Sequence, residues 1–135
     1  MPPSTSNIIK ALERSMNTKF IPDGANALHQ LGLTTQIPMK QTYITDRQMK
    51  TIKIGNTNIY FRKVSTKKLS GASNGTATYF SAIEYLGKEE ITQDDIQKQF
   101  ATTLNESIIE DFKQEANNRA VWIQNAVENI VKEVA

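Results

Sequence analysis

The sequence of 135 residues contains no cysteine, which excludes a disulfide scaffold and the common thiolate metal sites. His29 is the single histidine, so a metal site built from several imidazoles is excluded as well. No apolar run approaches the roughly 18 residues that a membrane-spanning helix needs, and the first residues do not resemble a signal peptide. These absences predict a cytoplasmic protein without metal, cofactor or membrane association.

Groups that could carry out catalysis are also scarce. A serine triad would depend on His29 alone, and the sequence contains neither a glycine-rich phosphate loop nor the strained nucleophile turn of hydrolases. A lone histidine among alanine and leucine residues is most often a structural residue. The sequence therefore predicts a protein that is not an enzyme and has no catalytic residues.

Asp94 and Asp95 form a carboxylate pair that would suit an enzyme, because paired acids bind Mg²⁺ in nucleotidyl-transfer sites. A metal-dependent nucleotide-handling enzyme built on these two residues is the alternative function. However, the spacing of Thr92 and Asp95 fits a helix capping box, and acids in a first turn complement the helix dipole. We therefore expect these carboxylates to cap a helix.

The formal net charge of +2 conceals a strong asymmetry along the chain. Residues 1–73 contain eleven Lys and Arg against three acids, a balance of +8. Residues 74–135 contain five against eleven, a balance of −6. Such a division indicates either an anionic partner for the first half or docking of the two halves on each other.

The first half predicts a helix to about Asn17 and a second, short helix that Asp23 caps and Gly32 terminates, followed by a strand over residues 41–45. The second half predicts four helices, the first of them stopped by Gly87. The last helix carries an apolar stripe that is wide enough to face a core, formed by Val121, Trp122, Ala126, Val127, Ile130, Val131 and Val134.

The best-determined element is a hairpin, because two alternating runs flank the dipeptide Gly55-Asn56. A two-residue loop here places Ile54 opposite Thr57, Ile52 opposite Ile59 and Lys50 opposite Phe61. The face predicted to join the core collects Ile52, Ile54, Ile59 and Phe61. The other face collects Thr51, Lys53, Tyr60 and Arg62.

Taken together, these patterns predict a single α/β (α+β) domain over residues 1–135. It contains a small, mostly antiparallel sheet with a central hairpin, flanked by an N-terminal helix and a C-terminal helical half. Residues 1–73 form the helix and the basic sheet part, and residues 74–135 form the acidic helical part.

The candidate binding site lies in residues 50–68, which contain no acid. Lys and Arg side chains neutralise phosphates and release counterions, so such a surface can bind nucleic acid without sequence preference. The competing interpretation is that this surface docks on the acidic helices of the same chain or is simply solvated. The residues assigned to nucleic-acid or partner binding are Lys50, Lys53, Tyr60, Arg62, Lys63, Lys67 and Lys68.

Five segments together resemble an AbiEi-like family of bacterial antitoxins and transcriptional regulators from type IV toxin–antitoxin and abortive-infection systems. The most specific are the Gly-Ala-x-Ala-Leu stretch that begins at Gly24 and the Lys-Ile-Gly-Asn-Thr hairpin that begins at Lys53. The resemblance covers about residues 4–135. Its segments are residues 20–38, 43–46, 52–59, 69–71 and 82–88.

The resemblance implies a non-enzymatic partner of a cognate nucleotidyltransferase-type toxin that represses its own operon. Members usually carry an N-terminal winged helix that binds DNA, followed by a C-terminal domain needed for antitoxicity. This chain begins where the C-terminal domain would begin, so DNA binding is expected to be nonspecific. The leading prediction is an antitoxin-like or transcription-regulator C-terminal domain that binds a partner protein, with nucleic-acid backbone as a second ligand. A structural or oligomerisation domain that uses the stripe of the last helix is a further alternative.

Overall fold

The structure, a computed structural model of the chain, describes residues 5–35, 38, 40–69 and 73–134, with the side chains of Lys67 and Lys68 outside the described part. The α+β fold with an N-terminal helix and C-terminal helices is confirmed. The elements in chain order are α1 (Thr5–Met16), β1 (Ile21–Asp23), α2 (Ala25–Gln30), β2 (Lys40–Thr45), β3 (Ile52–Ile54), β4 (Thr57–Lys63), α3 (Thr66–Leu69), α4 (Asn74–Ile91), α5 (Asp94–Thr103), α6 (Glu106–Ala116) and α7 (Val121–Val134).

The strands form a mixed sheet in the order β1-β2-β4-β3. β1 pairs with β2 and β3 pairs with β4 in antiparallel fashion, whereas the central strands β2 and β4 run parallel. The predicted hairpin register is confirmed, with Ile52 opposite Ile59 and Ile54 opposite Thr57. The ladder ends at Ile52, so the predicted pairing of Lys50 with Phe61 lies beyond it.

Helix α1 covers one face of the sheet. Its buried residue Ile9 packs in a cluster with Tyr43 of β2 and Ile59 of β4. The ring of Phe20 meets the ring of Phe61 edge to face, with 5.7 Å between the centroids. The predicted core face of the hairpin is confirmed, because Phe61 and both isoleucines of β3 also pack in this cluster.

Helix α4 packs on the opposite face of the sheet, but only on part of it. Ala77 of α4 packs against Ile21 of β1 and Ile44 of β2. The strand register places Tyr60 and Arg62 on this same face, next to β2. Arg62 is exposed and Tyr60 is half-buried. The β4–β3 half of this face is therefore left open.

The main core lies between α4 and the later helices, all of which α4 contacts. Phe80, Phe100 and Phe112 are almost completely buried there. Tyr79 is buried beside them, and its hydroxyl donates to the carbonyl oxygen of Thr103 at 2.9 Å. Since α4 also packs on α2 and β1, it joins the sheet to this core.

Two predicted helix caps are wrong. Gly24, not Asp23, is the N-cap of α2, and the Asp23 carboxylate is engaged elsewhere. The N-cap of α5 is Gln93 with extended backbone, so Thr92 lies one residue too early to form a capping box. The hydroxyl of Thr92 instead donates to the carbonyl oxygen of Glu89, at 2.7 Å.

The predicted end of the first helix in the second half agrees better with the structure. Gly87 interrupts α4 with a non-helical conformation at φ 85° and ψ 170°, as its predicted role as a stop requires, although one more turn follows.

The prediction of an apolar, core-facing stripe on α7 is partly wrong, because Val121 is 70 % exposed and Val134 is 38 % exposed. Ile123, which the prediction omitted, is buried. Trp122 is half-buried against the main core, as expected.

Candidate binding surface

The predicted cations lie on the β3–β4 side of the sheet, but they do not share one face. Lys53 and Arg62 point to the open face, whereas alternation along β4 turns Lys63 to the opposite face. Lys50 precedes β3. All four are exposed, so the interpretation that they are buried against the acidic helices does not apply to them. The side chains of Lys67 and Lys68, both in α3, lie outside the described residues.

Arg62 is the one predicted cation with an acidic partner among the described residues. Its Nε and Nη2 atoms donate to the two carboxylate oxygens of Asp23, at 3.2 Å and 3.3 Å. None of the described carboxylates forms an ion pair with Lys50, Lys53 or Lys63. We call these three lysines the cationic edge.

Tyr60 has a cationic partner that sequence reasoning missed. The Nζ atom of Lys40 lies 4.5 Å from the centroid of the Tyr60 ring, in a cation–π contact. Lys40 lies in β2, outside the acid-free window of residues 50–68. Only the parallel pairing of β2 with β4 brings the two side chains together, and that pairing has no local sequence signal.

A groove with a volume of about 440 Å³ lies between α4 and the β1–β2 half of the sheet. Tyr85 of α4 stands at this groove with 57 % of its surface exposed. Its ring lies directly over Gly24, where a Cβ atom would be 3.1 Å from the Cδ1 atom of Tyr85. The other residues that line the groove are Asp23, Ala25, Asn26, Lys40, Thr42, Ser81 and Glu84.

Glu84, on the wall of the groove, is held by an arginine from the helical half. The Nη1 atom of Arg119 donates to Glu84 at 3.0 Å, and its Nε atom donates to Glu115 at 3.2 Å. The guanidinium carbon of Arg119 lies 4.5 Å from the centroid of the Phe80 ring. Both carboxylates of the groove, Asp23 and Glu84, therefore have an arginine partner, which Glu84 shares with Glu115.

Asp111 of α6 has a structural environment rather than a catalytic one. Its Oδ2 atom accepts hydrogen bonds from the hydroxyl of Thr76 at 2.6 Å, and from the hydroxyl and the backbone N–H of Ser73 at 3.0 Å and 3.2 Å. These donors favour the charged form and lower the pKa of Asp111, with the Thr76 hydroxyl contributing most. The carboxylate therefore fixes the start of α4 against α6.

The residues considered for catalysis are not brought together. Asp94 and Asp95 are both exposed in the first turn of α5. His29 is partly exposed in α2, and its buried Nδ1 atom has no partner among the described residues. Within the described ranges, no group of three or more His, Asp or Glu side chains is placed to hold a metal ion. No helix in the described part is long and apolar enough to cross a membrane.

The fold and this surface define an α+β protein whose mixed sheet is half open on one face. The chain belongs to a family of unknown function, DUF6088, whose model matches residues 1–112. The match includes every strand of the sheet and ends within α6. No curated protein matches the chain, and no solved structure matches it.

Proposed function

We propose that this chain is a non-enzymatic, cytoplasmic binding module of the antitoxin or transcription-regulator type. It binds an acidic surface of a partner protein, a cognate nucleotidyltransferase-type toxin, through the cationic edge. The resemblance to the AbiEi-like family supplies the class of partner, and the surface charge of the sheet half supplies the mode of binding.

The observation that carries this proposal is the exposure of Lys50, Lys53 and Lys63 without an acidic partner among the described residues. An exposed lysine keeps its charge available to a second molecule, and clustered lysines steer an oppositely charged partner during association. Lys53 lies in the edge strand β3 and Lys50 lies just before it, where a second chain can approach the sheet.

Nucleic-acid backbone is the second candidate ligand. The charged residues at positions 50–68 are all Lys or Arg, and such side chains neutralise phosphates. The cationic edge itself consists of two strand residues and one residue that precedes a strand. Binding of this kind is nonspecific and falls steeply with salt.

The test replaces the cationic edge in one variant, Lys50→Ala/Lys53→Ala/Lys63→Ala. Two purified probes are offered at low salt: the protein encoded by a nucleotidyltransferase-type gene next to the gene for this chain, and a random duplex of about 20 base pairs. We expect wild type to bind the protein probe and the triple variant to lose at least about tenfold in affinity, which corresponds to roughly 1.4 kcal/mol.

A matched control removes the same charge from the helical half, in the variant Lys88→Ala/Lys98→Ala/Lys132→Ala. This variant should bind like wild type if the position of the charge matters. If the duplex alone binds, with a salt slope that falls by about 2.7 in the cationic-edge variant, the nucleic-acid candidate replaces the protein candidate. If neither probe binds at low salt, or both triple variants lose affinity equally, the proposal is wrong.

A further inference from the structure

The groove beside α4 has the size of a ligand site. Its floor is formed by Asp23 of β1 and by Lys40 and Thr42 of β2. Its wall is α4, which contributes Ser81 and Tyr85. The volume of about 440 Å³ lies within the range of roughly 300–1,000 Å³ that is usual for ligand pockets.

Tyr85 gives this groove a partly exposed aromatic ring. A tyrosine on a helix of a small protein normally packs its ring into the core, as Tyr79 does in the same helix with 3 % exposure. Tyr85 is 57 % exposed, and its ring lies against Gly24. An exposed ring of this kind offers a π-face for stacking.

The described lining of the groove contains one lysine and two carboxylates. Asp23 accepts two hydrogen bonds from Arg62, whereas Glu84 shares the single charge of Arg119 with Glu115. Lys40 lines the groove, and its only described partner is the ring of Tyr60. A cation and an exposed aromatic ring are therefore presented together.

We propose that this groove binds a single-stranded nucleic acid, with a base stacked on Tyr85 and a phosphate contacted by Lys40. An aromatic platform beside a cation is the arrangement by which proteins hold unpaired bases and the backbone between them. The base faces inside a duplex are stacked on each other, and a peptide of Asp and Glu has no aromatic ring to stack on Tyr85. The inference rests on the proposed function, a binding module for anionic partners, and names a ligand class and a separate set of residues.

The test measures the fluorescence anisotropy of labelled DNA and RNA single strands of about eight nucleotides, a length within the usual site sizes, at about 50 mM salt. Wild type binds at least one of the two strands. Tyr85→Ala weakens this binding about tenfold, and Tyr85→Phe, which keeps the ring, stays within about twofold of wild type. Lys40→Ala lowers the slope of log affinity against log salt by about 0.7.

The control variant Val121→Ala changes an exposed side chain on α7, outside the groove lining, and should bind like wild type. Circular dichroism of each variant checks that it is folded. The inference is overturned if neither strand binds, if Tyr85→Ala binds as tightly as wild type, or if a duplex or a polyglutamate peptide binds as tightly as the single strands. Loss of the protein partner in the cationic-edge variant, with unchanged strand binding in Tyr85→Ala, would reject this inference and leave the proposed function standing.

Discussion

Gly24 is the residue whose backbone most constrains the candidate groove. It lies between β1 and α2 at φ 59° and ψ −126°, a conformation that L side chains rarely adopt. The ring of Tyr85 covers it so closely that a Cβ atom would lie 3.1 Å from the ring. Glycine is therefore required here for two reasons, the turn and the close approach of Tyr85.

We expect Gly24→Ala to lower the free energy of unfolding by about 2–3 kcal/mol, because strained backbone costs about 1–3 kcal/mol and the ring must also move. Gly32→Ala is the matched control, since Gly32 also has positive φ, 76°, but no neighbour within 4 Å of an added Cβ. We expect about 1 kcal/mol for this control. Urea denaturation measures both values. Equal losses in the two variants would show that contact with Tyr85 contributes nothing.

At the scale of elements, Asp111 ties α6 to the first turn of α4. The hydroxyl of Thr76 and the groups of Ser73 bind the charged carboxylate and lower its pKa below the usual value. A carboxyl group with a lowered pKa in the folded state contributes stability above the pKa of the unfolded state, near 3.9. That contribution is lost as the pH falls through the lower pKa of the folded state. The junction of α4 and α6 therefore weakens in acid.

We expect Asp111→Asn to destabilise the protein by about 1 kcal/mol at neutral pH, the lower range for hydrogen bonds to a charged group, because the site is partly exposed. The difference from wild type should shrink below about pH 4, where the unfolded chain takes up the proton first, and disappear once the folded carboxyl is protonated as well. Urea denaturation between neutral and acid pH measures this difference. The neighbouring variant Glu110→Gln, with a side chain 76 % exposed, should show little effect at any pH. A loss in Asp111→Asn that does not vary with pH would contradict the assignment.

How far the elements could be predicted depends on whether their signals are local. The hairpin register followed from Gly55-Asn56, and the end of α2 followed from Gly32, because both are set by backbone conformations a few residues long. The parallel pairing of β2 with β4 could not be predicted, since no local residue pattern encodes which distant strands meet. Asp23 was assigned to a cap for the same reason, because its partner Arg62 lies 39 residues away.

The candidate surface shows the same limit. The acid-free window indicated Lys50, Lys53 and Lys63, which are exposed as a binding role requires. Lys40 and Tyr85 lie outside that window and could not be associated with it from the sequence. They join the surface only because β2 pairs with β4 and because α4 crosses part of the sheet. Residue type alone therefore found the charge but not the groove.

At the scale of the whole molecule, the charge asymmetry is largely preserved on the surface. Arg62 pairs with Asp23 inside the sheet half, and Arg119 pairs with Glu84 inside the helical half. Lys19 attracts Asp111 across the boundary, but the cationic edge takes no part in such contacts among the described residues. The halves instead meet through apolar packing of α4 on β1 and α2. This arrangement favours an external partner for the cationic edge over internal docking.

Apolar packing through α4 also predicts that the two halves unfold together. Ile59 of β4 lies in the sheet half, where it is fully buried in the cluster that packs against α1. Trp122, the single tryptophan, lies in the helical half. Ile59→Ala removes buried methyl groups and should cost about 2–5 kcal/mol. If the chain is one cooperative unit, the urea midpoint reported by Trp122 fluorescence falls by about 1–2 M, given slopes of roughly 1–3 kcal/mol per molar.

The matched control is Val121→Ala, which truncates a side chain that is 70 % exposed and should leave the midpoint nearly unchanged. Far-UV circular dichroism of the same samples reports both halves at once, and its midpoint should coincide with the fluorescence midpoint. The contrary result is a Trp122 transition that stays at the wild-type midpoint while circular dichroism shows an earlier, separate loss of signal. In that case α4 would not transmit stability from the sheet to the helices, and the prediction of a single domain would be wrong.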